Sequence, residues 1–214
     1  MAADADAVEI RVLGCLIEKQ RTTPDQYPLS LNSLRLACNQ STNRDPVVDY
    51  DERTIKAALE RMSIRGWTRF ASGAGSRALK YRHLLDEALS VSDAEISVLA
   101  VLMLRGPQTL GELKGRTERM HRFESLEEVE ETLDALAERE MVARLARRPG
   151  QKEDRYGQLL GGAEEQAAPV AAAPGEHLDL DRLSALERRV EELERIAAEF
   201  RARLEGNEQT HPNQ

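Results

Sequence analysis

The stretch Ile10-Arg11-Val12-Leu13-Gly14-Cys15-Leu16-Ile17 returns 86 positions later as Ile96-Ser97-Val98-Leu99-Ala100-Val101-Leu102-Met103. Apolar residues match at Ile10, Val12, Leu13, Leu16 and Ile17 against Ile96, Val98, Leu99, Leu102 and Met103. Steps of three, four and seven put Ile10, Leu13 and Ile17 on one helical stripe. The match continues outward. Ser30-Leu31-Asn32-Ser33-Leu34 pairs with Thr109-Leu110-Gly111-Glu112-Leu113, 79 apart. Ser30 and Thr109 are N-cap residue types, and Thr109 with Glu112 fits a capping box. Ile55, Leu59, Met62 and Trp67 pair with Val129, Leu133, Leu136 and Met141, 74 apart, and Ser125 with Glu128 caps the later helix. Tyr81, Leu84 and Leu85 pair with Tyr156, Leu159 and Leu160, 75 apart. The falling offset gives the first unit longer connections.

Each unit therefore reads helix, connector, helix, helix and an extended pair. The first pair is 67–71 and 79–82 around Ser72-Gly73-Ala74-Gly75-Ser76; the second is 141–145 and 154–159 around Arg148-Pro149-Gly150. Gly and Pro at those turns punctuate hairpins. Three helices and a hairpin are the order of a winged helix-turn-helix. The expected fold class is mainly α with small β-hairpins. Two tandem winged helix-turn-helix domains, 1–85 and 86–160, precede a C-terminal coiled-coil-like helix. Two generic three-helix units with hairpins are the alternative.

The 214 residues are 32% charged and only 4% aromatic, so two small helical cores are expected instead of one large one. No stretch approaches the ~20 apolar residues that a membrane-spanning helix requires. Residues 1–8 are acidic and alanine-rich, with no basic segment leading an apolar one, so no secretory signal is expected. Two cysteines make no disulfide framework. These features lead to the expectation of a reduced, cytoplasmic protein. The net charge of −8 hides a gradient. Residues 1–85 carry 13 Lys and Arg against 10 Asp and Glu; residues 86–160 carry 11 against 16; residues 161–214 carry 6 against 12. A mildly basic first unit thus precedes two acidic regions, and sign asymmetry is more informative than the total.

Three runs carry a resemblance: Leu13-Gly14-Cys15-Leu16-Ile17-Glu18-Lys19, Tyr27-Pro28-Leu29-Ser30-Leu31-Asn32-Ser33-Leu34, and Ala37-Cys38-Asn39-Gln40-Ser41-Thr42-Asn43-Arg44-Asp45-Pro46. Together they resemble the YceH-like family of uncharacterised bacterial proteins, over roughly residues 8–160. The resemblance implies a tandem winged-helix fold in a cytosolic bacterial protein and brings no activity with it.

A helix-turn-helix presents its last helix to the major groove, and Arg, Lys and Asn are the side chains that meet phosphates and base edges. In the first unit that helix spans about 51–65 and offers Arg53, Lys56 and Arg61; the loop before it offers Asn43 and Arg44; the wing offers Arg77, Lys80 and Arg82. These eight are the candidate DNA contacts, with Asn43 and Arg44 foremost. The polar run 39–46 also has a structural explanation, in which its side chains bond nearby backbone and Arg44 joins an internal ion-pair network. Asp49, Asp51 and Glu52 crowd the start of the helix, where they complement its dipole. The second unit suits DNA less, because its third helix carries Glu127, Glu128, Glu130, Glu131, Asp134 and Glu138. The leading expectation is a DNA-binding, transcription-regulator-like protein; the alternative is a non-enzymatic protein-interaction scaffold without nucleic acid.

No catalytic constellation, cofactor motif or metal-ligand spacing is present: His83, His121, His177 and His211 are scattered, and Cys15 and Cys38 sit among apolar residues. A linker rich in Ala and Pro follows at 161–177. Residues 178–205 have helical periodicity, with Leu183, Leu186, Val190, Leu193, Ala197, Phe200 and Leu204 filling the a and d sites of a heptad. That seam is expected to form a homodimer; folding back on its own chain is the alternative. Residues 206–214 read as a disordered tail.

Overall fold

A computed structural model of the chain describes residues 5–71, 79–147 and 153–161. Arg77, the linker from 162, the helix and seam expected at 178–205, and the tail expected at 206–214 lie outside the described residues. The described part is mainly helical with small antiparallel sheets.

Helix α1 (Ala7–Thr22) starts at a capping box in which Asp6 accepts from the Glu9 amide and Glu9 accepts from the Asp6 amide. A two-residue strand β1 (Leu29–Ser30) leads into α2 (Leu31–Cys38), whose cap is Ser30. Helix α3 (Glu52–Ile64) is capped by Asp51, which accepts from the Thr54 amide at 2.7 Å. Strands β2 (Thr68–Ala71) and β3 (Lys80–His83) follow, then a short helix α4 (Leu85–Leu89) that no sequence pattern announced. The second round begins with α5 (Asp93–Arg105), set by a Ser92/Glu95 capping box. Helix α6 (Leu110–Thr117) has the Thr109/Glu112 box expected of it, and α7 (Leu126–Glu138) has the Ser125 cap. Strands β4 (Val142–Leu145) and β5 (Arg155–Gln158) close it. No helix among the described residues is long and apolar enough to cross a membrane.

The first sheet is antiparallel in the order β1-β3-β2, with Leu29 opposite Tyr81 and Phe70 opposite Tyr81 on the other side. In the second round β4 pairs with β5, and Gln108 bridges to Tyr156 where β1 would stand. The repeat seen in the sequence is thus also a repeat of strand pairing. Tyr81 and Tyr156 hold equivalent central positions.

The expectation of two separate small cores is corrected: the described residues bury one continuous apolar cluster. The reason lies in the first helix of each round. Helix α5 buries every residue from Ile96 to Leu104, and α1 buries Ile10 through Ile17. Helices apolar all round are interior helices, and these two pack on each other. A Cβ placed on Gly14 would stand 2.8 Å from Leu104 Cγ, so only glycine admits this approach. Three polar links lie beside the seam: Asp45 N–H to Leu104 O at 2.8 Å, Ala5 N–H to Leu160 O at 2.9 Å, and the Arg21–Asp93 ion pair at 2.5 Å.

Candidate nucleic-acid interface

The polar loop between α2 and α3 turns inward. Arg44 is 6% exposed and its guanidinium makes five hydrogen bonds. It donates to both Glu18 carboxylate oxygens (3.1 and 2.6 Å), to the carbonyls of Ala37 and Asn43, and to Gln40 Oε1. Burial alone would raise the Glu18 carboxyl; the bonds and charge of Arg44 outweigh it and hold the group below the usual glutamate range. Asn39 pins the far end of the loop, donating to Tyr50 O at 2.8 Å and accepting from Tyr50 N–H at 2.9 Å. Asn43 adopts a left-handed backbone (φ +60°), and its side-chain oxygen accepts from Arg105. Arg11, 4% exposed, donates to Cys38 O and Pro46 O from below. The loop therefore spends Arg44 on the fold, as its structural explanation holds.

Helix α3 offers a mixed surface. Arg53 is exposed and makes no ion pair among the described residues. Lys56 is exposed, with Glu60 3.9 Å away. Arg61 is half-exposed but already engaged: it pairs with Asp6 and, at 2.9 Å, with Glu9. Arg65 pairs with the same buried Glu9 and stacks 4.7 Å over Trp67. Asp49, Asp51 and Glu52 all stand exposed at the start of the helix.

The hairpin divides its side chains by alternation. Thr68, Phe70, Tyr81 and His83 share one face, on which Thr68, Tyr81 and His83 are buried and Phe70 stays half-exposed: Thr68 Oγ1 donates to Leu59 O, and the Phe70 and Tyr81 rings lie 5.1 Å apart. The register puts Arg69 opposite Arg82 and Ala71 opposite Lys80 on the outer face. Arg69 was missed by the sequence reasoning; the period-two pattern of 68–71 is the signal that would have placed it beside Lys80 and Arg82. Like charges directly opposite across a strand pair are destabilising, so Arg69 opposite Arg82 is a local cost to the hairpin. Arg82 has one carboxylate, Glu87, at 3.2 Å; Arg69 and Lys80 have no ion pair among the described residues. Arg77 lies outside the described residues.

The second round reverses this. Adding 74 to Arg53, Lys56 and Arg69 gives Glu127, Glu130 and Ala143, and adding 75 to Lys80 and Arg82 gives Arg155, which keeps the charge but pairs with Glu112 at 3.2 Å, and Gly157. Arg144 and Arg147 of its hairpin are paired with Asp154, whose carboxyl they hold down to about 2. A groove of about 340 Å³ lies beside them, lined by Leu110, Leu126, Glu130 and Tyr156 among others.

Among the described residues, no group of three or more His, Cys, Asp or Glu is placed to hold a metal ion. Cys15 and Cys38 are free and buried; the Cys38 thiol is pushed up by its hydrogen bond to Cys15 and by burial. His83 is buried, accepts from Leu85 N–H at Nδ1 (3.3 Å) and faces Gln20 Oε1 from Nε2 (2.5 Å). Burial pushes it down to about 4, so it is neutral at pH 7.

Comparison with known proteins agrees with the resemblance carried by residues 13–46. A UPF0502 protein of Solibacter usitatus is 49% identical over 203 residues, covering 94% of this chain and 98% of the relative. A UPF0502 protein of Geobacter sulfurreducens is 46% identical, covering 92% and 97%. One from Serratia proteamaculans is 45% identical, covering 90% and 94%. Residues 5–151 match the family described as "Protein of unknown function, DUF480". With that match over more than half of the chain, and such relatives at near full length, the chain belongs to the DUF480 family, whose bacterial relatives here are named UPF0502 proteins.

Proposed function

We propose that this protein is a non-enzymatic, cytoplasmic, transcription-regulator-like protein that binds duplex DNA through its first unit, and that both units are winged helices. The winged-helix reading is supported by the order helix, β1, helix, helix, β2, β3 with β1 on β3, and by the Gln108–Tyr156 bridge at the same place in the second round. One observation carries the DNA reading: Arg69, Lys80 and Arg82 gather on the outer face of the first hairpin at a cost to the hairpin itself. A phosphate backbone would offset that cost, because Arg and Lys neutralise phosphates and release condensed counterions. Homodimerisation through 178–205 is part of the proposal. It would bring two such units to one duplex, as helix-turn-helix proteins reading two half-sites require.

The test is binding of labelled random genomic fragments across a salt series. Affinity should fall steeply as salt rises, with a log–log slope of about −0.9 per phosphate contact. Absence of binding at about 50 mM salt, where such contacts are strong, refutes the proposal. A second reading, a scaffold that binds a protein, draws on Glu127, Glu130, Glu131, Asp134 and Glu138, all exposed along α7. That face would repel DNA, and it assigns any protein partner to the second unit.

A further inference from the structure

Building on the DNA-binding proposal, we propose that the first unit grips the duplex by the outer face of its hairpin, independently of base sequence. Four observations converge. The outer face concentrates Arg69, Lys80 and Arg82; Arg69 stands opposite Arg82, and of the three Arg82 alone has a carboxylate partner among the described residues, the exposed Glu87 at 3.2 Å. The tip of α3, the part of such a helix that reaches base edges, is fenced by exposed Asp49, Asp51 and Glu52, which repel phosphates on either side of a groove. The arginines at the other end of α3 are spent, Arg61 on Asp6 and Glu9, Arg65 on Glu9 and Trp67. The loop arginine, Arg44, is sealed inside by Glu18. What remains for base edges on α3 is Arg53, with Lys56 shared with Glu60. Phosphate contacts give affinity and register, and base-edge contacts give sequence preference; this surface is rich in the first and poor in the second.

Duplex DNA is the partner to which this face is assigned. Its phosphates run along both rims of a groove and present a linear array of charge to a short, flat cationic face. Among the described residues, the outer face itself carries no ring for stacking single-stranded bases; Phe70, half-exposed, lies on the opposite face of the hairpin against Tyr81.

The experiment is fluorescence anisotropy of the full-length protein with two short labelled duplexes of unrelated sequence, a single strand and an RNA hairpin, each across a salt series. The variants are R69Q/K80Q, which changes the hairpin face, and R53Q/K56Q, which changes α3. Thermal melts by circular dichroism confirm that each variant folds. The two duplexes should bind within about tenfold of each other, far below the roughly thousandfold or greater ratio of sequence-specific proteins. R69Q/K80Q should reduce the salt slope by about 1.8, two contacts at about 0.9 each, which is about sixtyfold in affinity at 0.1 M salt relative to 1 M. R53Q/K56Q should change the slope by less than half as much. Absence of binding to any duplex overturns both the DNA-binding proposal and this one. Binding that survives R69Q/K80Q but is lost in R53Q/K56Q, or a preference between duplexes above tenfold, leaves DNA binding in place and overturns the hairpin grip. Tighter binding of the single strand or the RNA hairpin overturns the assignment to duplex DNA.

Discussion

Arg44 is the residue for which a functional and a structural explanation differ most, and its removal separates them. Arg44→Ala deletes five hydrogen bonds at once and leaves Glu18, 16% exposed, facing the space where the guanidinium was. Removing one partner of a buried ion pair costs about 3–5 kcal/mol, because the other charge is left uncompensated. Lys19 Nζ, 3.3 Å from Glu18, softens the loss, so about 3 kcal/mol is expected. At about 2–4 °C per kcal/mol for a chain of this size, Tm should fall by about 6–12 °C. Urea unfolding at pH 7 gives the free energy directly, and Glu18→Gln with the double variant closes a cycle in which most of the loss is shared. The pH dependence follows in sign. Glu18 is held below its ordinary range, so its pairing stabilises the fold above about pH 4.3, the unfolded value, and is lost as pH falls through the lower folded value. The stability curves of wild type and Arg44→Ala should therefore converge in acid. DNA affinity, measured well below the transition, should be unchanged. A Tm change under about 2 °C together with lost DNA binding would falsify this reasoning and return Arg44 to the interface.

His83 should remain neutral down to about pH 4, so a proton NMR titration of its ring should show no step near 6.5. Because its folded value lies below the unfolded one, stability should drop by up to about 3 kcal/mol as pH falls from about 6.5 to 4; a ring titrating near 6.5 contradicts this. Gly14→Ala drives a methyl to 2.8 Å from Leu104 Cγ and should cost about 1–3 kcal/mol in a urea titration, with Leu104→Ala in the same chain recovering part of it. A Gly14→Ala protein as stable as wild type would mean that the seam is not close-packed there. A chain ending at Gly161 should be monomeric by light scattering while the full chain is dimeric; a dimer that survives the truncation places the interface elsewhere.

Much of this architecture is legible in the chain, and the reasons are local. Capping boxes are short-range chemistry, so Thr109 with Glu112 reads directly, and Ser92 with Glu95 has the same signature. Apolar periodicity over a whole helix likewise fixes α1, α3, α5 and α7. The two-residue strand β1 does not read, because Leu29 and Ser30 are too few to show a period and their pairing is with Tyr81 and Lys80, some fifty residues on. The fused core was half legible: Val12 and Leu16 lie off the Ile10–Leu13–Ile17 stripe, which already marks a helix covered on more than one side. At the candidate interface, Lys80 and Arg82 were found as charges near a turn, whereas Arg69 needed the face assignment that strand register supplies. Arg61 looks like any exposed arginine in sequence, and for Arg44 an internal ion-pair network could be named as an alternative but not its partner. Their carboxylate partners, Glu18, Asp6 and Glu9, sit 26 to 55 residues away, and only the packing of α1 against the later helices brings them within reach.

The α1–α5 seam bears on how the molecule can be dissected and how it came to differ between its halves. A fragment ending near residue 85 would turn the α5-facing side of α1, including Gly14, to water, and such a fragment would self-associate or fail to fold. Unfolding should accordingly be a single cooperative transition in which neither repeat melts alone. Deleting the second repeat cannot then test what it contributes to binding, because the deletion removes a wall of the first. A repeat kept for the support it gives its neighbour is also released from the constraints of a binding surface, and α7, with its row of glutamates, has the surface such release permits.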